Sequence, residues 1–283
     1  MFTQPLHAGG TGNLVPLDRD HPGFRDPAYR ERRDSIARIA LAYQTGQPVP
    51  RAPYTPQEHA VWAEVWRHLG PLHEQRACRE YLESARNLAL DRGRIPQFAD
   101  LNPRLRETTG FEMEPVAGLI AAGTFLGFLG RKVFLATQYI RHHSTPLYTP
   151  EPDVVHELIG HAATLMHPRL ARLNRTMGQA ARKAVPGRIP HLERVYWYTL
   201  EFGALEEEGR LKAFGAGLLS SFGEIQRFHR EAELLDWDLD RMAATPYDPT
   251  DYQPQIFVAP SFDRMVSDLM AWTEGQNWAN PES

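Results

Sequence analysis

The stretch Pro150-Glu151-Pro152-Asp153-Val154-Val155-His156-Glu157-Leu158-Ile159-Gly160-His161 constrains this chain more than any other part of it. Its two prolines hold the residues before them extended, and the apolar run that follows asks for a helix. On a regular α-helix, residues five apart diverge by about 140° around the axis. A spacing of four would bring them within about 40° and give the zinc-protease pattern H-E-x-x-H. Here that position is Gly160, so the protease reading fails. Two imidazoles five apart can share one ion only if the turn widens to a π-type geometry or distorts at Gly160. Irregular helix geometry is therefore expected between His156 and His161.

A third ligand candidate lies in the apolar run Tyr196-Trp197-Tyr198-Thr199-Leu200-Glu201-Phe202. A buried carboxylate is costly unless it is paired or bound to a cation. Two histidines and one carboxylate, with open positions, form the facial set that Fe(II) enzymes use for oxygen chemistry. The residues alone leave three readings open: iron ligands, zinc ligands, or satisfied core residues.

The rest of the chain limits the setting. With 31 basic and 35 acidic residues there is no positive excess to neutralise a phosphate backbone, so nucleic acid is not an expected partner. A single cysteine, Cys78, excludes an intrachain disulfide and suits a reducing cytoplasm. Met1 to Asn13 lacks the pattern of a secretory signal. The longest apolar stretch, Val116 to Leu129, is broken by Gly118, Gly123 and Gly127 and falls short of the roughly 20 residues of a membrane span. A soluble, cytoplasmic protein with no membrane partner is expected.

Residues 1–17 read as a flexible lead-in and 18–283 as one catalytic domain. Asp26 and Pro27 start a helix, and Thr55 with Glu58 forms a capping box for a second. A third helix is expected from about Pro71 to Leu90, and a short strand over 132–139. Pro146 to Pro152 should be an extended loop. Leu205 to Leu211 reads as a hairpin whose turn uses a positive φ at Gly209, and a last helix follows Ser261. The fold class is mostly α with a few short β-strands.

Several motifs together resemble the biopterin-dependent aromatic amino acid hydroxylases, whose members act on phenylalanine, tyrosine or tryptophan. They are Thr137-Gln138-Tyr139-Ile140-Arg141-His142, Tyr148-Thr149-Pro150-Glu151-Pro152-Asp153, His156 through His161, Tyr196 through Gly203, and Lys212 through Glu224. Weaker likeness reaches back to Asp20 and forward to Ser261-Phe262, so that about residues 18–272 are covered. The resemblance implies one catalytic domain with Fe(II) held by His156, His161 and Glu201. Tetrahydrobiopterin or a related reduced pterin would be the reductant and dioxygen the co-substrate. It also implies that Arg141 holds the substrate carboxylate, oriented by Asp153, while Thr149 and Ser220 help to place the amino acid. Trp197 would wall the ring pocket. Phe125 would stack on the pterin, with Leu119 and Glu157 beside it.

Family subtypes differ near the ring. Tryptophan-specific members usually carry Phe where this chain has Trp197, and tyrosine-specific members often carry an acid where Pro249 aligns, although Asp248 stands next to it. Phenylalanine is the expected substrate, with tyrosine or tryptophan hydroxylation, or attack at the 3-position of phenylalanine, as alternatives. Leu135 replaces a polar residue of animal members, and Gly123 and Thr124 replace a more polar pair near the pterin. Extensions of the animal kind are not recognised at either end, so a monomer is expected. Two rivals of other classes remain. A 2-oxoglutarate oxygenase would carry its triad on strands in another order. A helical binding protein with a structural zinc would need a fourth protein ligand.

Overall fold

Thr55 closes the N-terminus of a long helix as its sequence requires. Its hydroxyl accepts from the Glu58 N–H, and the Glu58 carboxylate accepts from the Thr55 N–H at 2.6 Å. In the computed structural model, which describes residues 14, 15 and 17–280, this helix is α2 (Pro56–Arg76), preceded by α1 (Pro27–Ala42) with Asp26 as its N-cap. The expected lead-in lies largely outside the described residues. Of its described part, Val15 is already buried against α1, and Asp34 accepts from the Leu14 and Val15 N–H groups.

The third helix starts later than expected. Pro71 removes a donor but does not break α2, whose apolar face (Trp62, Val65, Trp66 and Leu69) is held in the core. The helix ends at Ala77, which bridges to Ala213, and α3 covers only Arg79–Leu88. Cys78, expected on a helix, is instead the buried N-cap residue of α3. After α4 (Phe98–Thr108), β1 (Glu112–Val116) pairs in parallel with β2 (Val133–Thr137) across α5 (Ala122–Leu129). The second sheet has the order β4-β3-β6-β5. Its hairpin joins β3 (Ala204–Glu207) to β4 (Arg210–Ala213) through Glu208 and Gly209, both at positive φ. The strands β5 (Glu233–Asp236) and β6 (Gln255–Ala259) complete it.

Between the sheets the chain is helical. A π-helical segment, His156–Ala162, continues into α6 (Ala163–Leu165), and α7 (Pro168–Ala181) follows. The helix α8 (Ile189–Tyr196) runs into a second π-helical segment, Trp197–Glu201. Then come α9 (Ala216–Ser220), α10 (Phe222–Glu231), α11 (Leu239–Ala244) and α12 (Phe262–Gly275), the last capped by Ser261. One buried apolar cluster extends from Val61 to Trp278 and contains the apolar residues of both π segments. No helix among the described residues is long and apolar enough to cross a membrane.

Buried polar groups join α2 to α9. His73 is fully enclosed, and its Nε2–H donates to the Leu219 carbonyl at 2.6 Å. Burial pushes this imidazole down to about 4 from its ordinary 6.5, so the folded state holds it neutral while the unfolded chain protonates it. Between those two values the unfolded state binds more protons. His73 therefore leaves stability intact above about pH 6.5 and costs roughly 3 kcal/mol as pH falls to about 4. His73→Gln, which keeps a donor and cannot titrate, should flatten the slope of unfolding free energy against pH across that window, as read by urea denaturation.

Candidate metal centre and substrate pocket

The widened turn that the sequence demanded is present. His156 and His161 both lie in the first π segment, and their Nε2 atoms stand 2.9 Å apart. Gly160 has a different role from the one expected of it. A Cβ there would meet the Ala216 carbonyl oxygen at 2.8 Å and the Ala216 Cβ at 2.9 Å, so its bareness lets α9 pack directly on the ligand-bearing turn. Gly160→Ala should cost about 1–3 kcal/mol through forced backbone movement and weaken metal binding, measured by denaturation and by iron titration.

Glu201 ends the second π segment, whose wide turn is closed by the Phe202 N–H on the Trp197 carbonyl at 2.8 Å. This second irregularity was not read from the sequence, because only one ligand lies on that turn. Its carboxylate is 1% exposed, with Oε1 3.0 Å from His161 Nε2 and Oε2 3.5 Å from His156 Nε2. Yet Glu201 Oε1 lacks any aligned hydrogen-bond donor. Close approach without alignment is the arrangement of groups aimed at a common third atom. Ligands at right angles about 2.1 Å from one ion stand about 3 Å apart, close to the spacings seen. Burial, with His161 beside it, pushes the His156 imidazole down to about 3, which leaves it neutral as a ligand must be. Burial alone would raise the Glu201 carboxyl, but the two imidazoles hold it below its ordinary value. The donor set fits a divalent transition metal.

Both candidate histidine ligands are themselves held. His156 Nδ1 lies 2.8 Å from the Ser220 hydroxyl on α9, the outer hydrogen bond that fixes a ligand ring. Phe134 on β2 packs over His161 at 4.5 Å between ring centroids. Neither contact was read from the sequence as support for the ligands; Phe134 gives no sign beyond an apolar strand pattern.

His156 and Glu201 open onto a cleft that is also lined by Arg141, Thr149, Trp197 and Ser220. Arg141 is buried, and its Nε and Nη2 donate to the two Asp153 oxygens at 2.9 and 2.8 Å. Asp153 also accepts from the backbone N–H groups of Arg141 and His156. Burial would raise its carboxyl, but the Arg141 charge and these bonds keep it below the ordinary carboxylate range. Asp153 does not line the cleft; it orients Arg141 from behind. The remaining Arg141 donors are left for an anion in the cleft.

Trp197 forms one wall. It stacks on Tyr247 at 4.1 Å between centroids, and its indole N–H donates to Gln253 Oε1 at 2.8 Å. Gln253 in turn donates to the Asp248 and Asp251 carbonyls and so fixes the loop that closes the cleft. The sequence shows that a buried tryptophan needs an acceptor, but not which residue supplies it. Glu224 also lines the cleft and accepts from the Gln253 N–H.

Leu119, Phe125 and Glu157 stand apart from this cleft. Leu119 is half-buried in the loop before α5. Phe125 packs edge-on against Phe134 at 5.2 Å and Tyr196 at 5.7 Å, one ring removed from His161. Glu157 accepts from the Thr137 N–H and hydroxyl through Oε1, while its buried Oε2 has no partner, and burial pushes its carboxyl up to about 7. An orphaned acid near an aromatic cluster fits a planar, N–H-bearing heterocycle such as a pterin.

Fold and site together define a class: a mostly helical domain in which a His–His–carboxylate triad opens through His156 and Glu201 onto an arginine-bearing cleft. The chain belongs to the biopterin-dependent aromatic amino acid hydroxylase family, whose sequence pattern matches residues 13–278. It is 46% identical over 251 residues to tyrosine 3-monooxygenase of Mus musculus, covering 87% of this chain and 50% of that relative. It is 44% identical over 254 residues to phenylalanine-4-hydroxylase of the same organism, covering 87% and 56%. Among solved structures it resembles phenylalanine hydroxylase of Chromobacterium violaceum with bound iron(III) and 7,8-dihydrobiopterin. There the TM-score is 0.76 at 32% identity, over 85% of this chain and 91% of that one. The chain spans about half the length of the first curated relatives it matches.

Proposed function

We propose that this chain hydroxylates the ring of free L-phenylalanine to give L-tyrosine, with Fe(II), a tetrahydropterin and dioxygen. The observation that carries this reading is that His156 and Glu201 of the triad and the Asp153-braced Arg141 face one cleft. His156, His161 and Glu201 would hold the iron, and iron with reduced pterin supplies the activation of dioxygen. Arg141 grips the substrate carboxylate, with Thr149 and Ser220 beside it, and so fixes how far the ring reaches toward the triad. Trp197, stacked on Tyr247, presents a flat apolar wall to that ring and keeps water from it. Leu119, Phe125 and Glu157 would receive the pterin.

The preference for phenylalanine rests on the cleft rim. Pro249 lines it, whereas Asp248 does not and spends its carboxylate on the Thr250 N–H and hydroxyl. Tyrosine is the second reading, favoured by the identity to tyrosine 3-monooxygenases and by Glu224 and Asp251, which line the same cleft and could accept from a phenol. The test is to supply Fe(II)-loaded protein with tetrahydropterin and each aromatic amino acid and to identify products by mass and chromatography. Tyrosine from phenylalanine, at the highest kcat/KM of the three and without need of 2-oxoglutarate, is the expected result. A higher kcat/KM for dihydroxyphenylalanine from tyrosine would transfer the assignment, and no hydroxylation of any of them would overturn it.

A further inference from the structure

We infer that Asp26, His142 and His143 form a second binding site, open to solvent, for a divalent transition-metal ion of the nickel, zinc or copper type. This site does not depend on the reaction proposed above. One ligand atom from each residue lies within 4.8 Å of the others. They come from two places in the chain: the N-cap of α1, and the two positions directly after Arg141.

The division of labour within Asp26 supports a ligand role. Its Oδ1 accepts from the Ala28 and Tyr29 N–H groups at 2.9 and 3.1 Å, as a capping residue must. Its Oδ2 is turned the other way, to 3.2 Å from His142 Nε2. His142 is buried and held edge-on by the Tyr29 ring at 4.9 Å. Its Nδ1 faces Ser144, 2.7 Å from the hydroxyl and 3.2 Å from the backbone N–H from which it accepts, so a ring that gives its Nε2 lone pair to a metal would turn its Nδ1 proton to that hydroxyl. That outer hydrogen bond is the feature that orients metal-bound histidines. His143 is exposed, and its ring lies over His142 at 4.3 Å between centroids. A plain His142–Asp26 hydrogen bond accounts for two of the three residues. The third nitrogen at the same spot completes a ligand set.

Two imidazoles and one carboxylate select borderline transition metals over calcium or magnesium, which prefer oxygen donors. Three protein ligands leave further positions to water. An ion here would tie the start of α1 to the segment that carries Arg141.

The test uses iron-loaded protein without a histidine tag, titrated with Ni²⁺ by calorimetry, with nickel and iron both counted after gel filtration. About one nickel per chain, bound without loss of iron, is expected. Asp26→Asn, which keeps the capping oxygen, and the surface change His143→Ala should each weaken nickel binding by about tenfold or more at unchanged iron content. Nickel should raise the melting temperature of the parent protein and, at the same concentration, raise that of both variants clearly less. Nickel uptake matched by iron loss, or nickel binding of equal strength in parent and both variants, would overturn the assignment.

Discussion

Glu201→Ala should abolish stable iron binding and lower turnover by about a thousandfold or more. A metal acting as Lewis acid supplies several kcal/mol, and each factor of ten in rate is about 1.4 kcal/mol. Loss of activity alone would not distinguish a ligand from a structural residue, so the informative variant is Glu201→Gln. In the metal-free protein the Glu201 carboxylate is 1% exposed and its Oε1 lacks an aligned donor, so only the two nearby imidazoles offset its loss of hydration. The amide removes that charge at nearly the same volume. Glu201→Gln should therefore match or exceed the parent's melting temperature without metal, and lose most of the rise that Fe(II) gives the parent. Melting curves with and without Fe(II), alongside iron analysis, read both signs. A variant that melts well below the parent without metal, yet still gains stability from Fe(II), would assign Glu201 to the core and not to the ion.

How much of this was legible beforehand depends on the distance over which each feature is encoded. Caps at Asp26 and Thr55, the helix start after Ser261 and the hairpin at Gly209 are local, and the structure has them where the sequence placed them. An irregular turn at His156 was legible because two candidate ligands five apart converge only if the helix widens or distorts between them. The equally wide turn before Glu201 was not, since a single ligand sets no spacing to violate. Pro71 misled the helix boundary because packing of a whole apolar face outweighs one missing hydrogen bond. Gly160 was noticed for the right reason of placement and the wrong reason of physics: its neighbour Ala216 lies 56 residues on, across a contact that no local pattern reports. Ser220 was placed by family likeness beside the substrate, but its bond to His156 belongs to three-dimensional packing. Gln253 under Trp197 is the same kind of case.

Arg141→Lys should raise KM for the amino acid by about a hundredfold while leaving iron content untouched. The guanidinium spans two partners at once: Nε and Nη2 are committed to Asp153, and the other donors face the cleft. A lysine ammonium is a single point of charge on a flexible stem. It can stay with Asp153 or reach the substrate, and either choice leaves one carboxylate poorly matched. Breaking a buried, hydrogen-bonded charge pair costs about 2–5 kcal/mol, and partial rescue by the lysine charge places the loss toward the lower end. The effect should fall on KM more than on kcat, because the carboxylate is gripped equally in ground and transition states. Asp153→Asn should act through the same arginine. The double variant should then lose much less than the sum of the two single losses, the sign of residues that work as one unit. Full additivity in steady-state kinetics would show that Asp153 and Arg141 serve the site separately, and that the arginine is not held ready by the acid behind it.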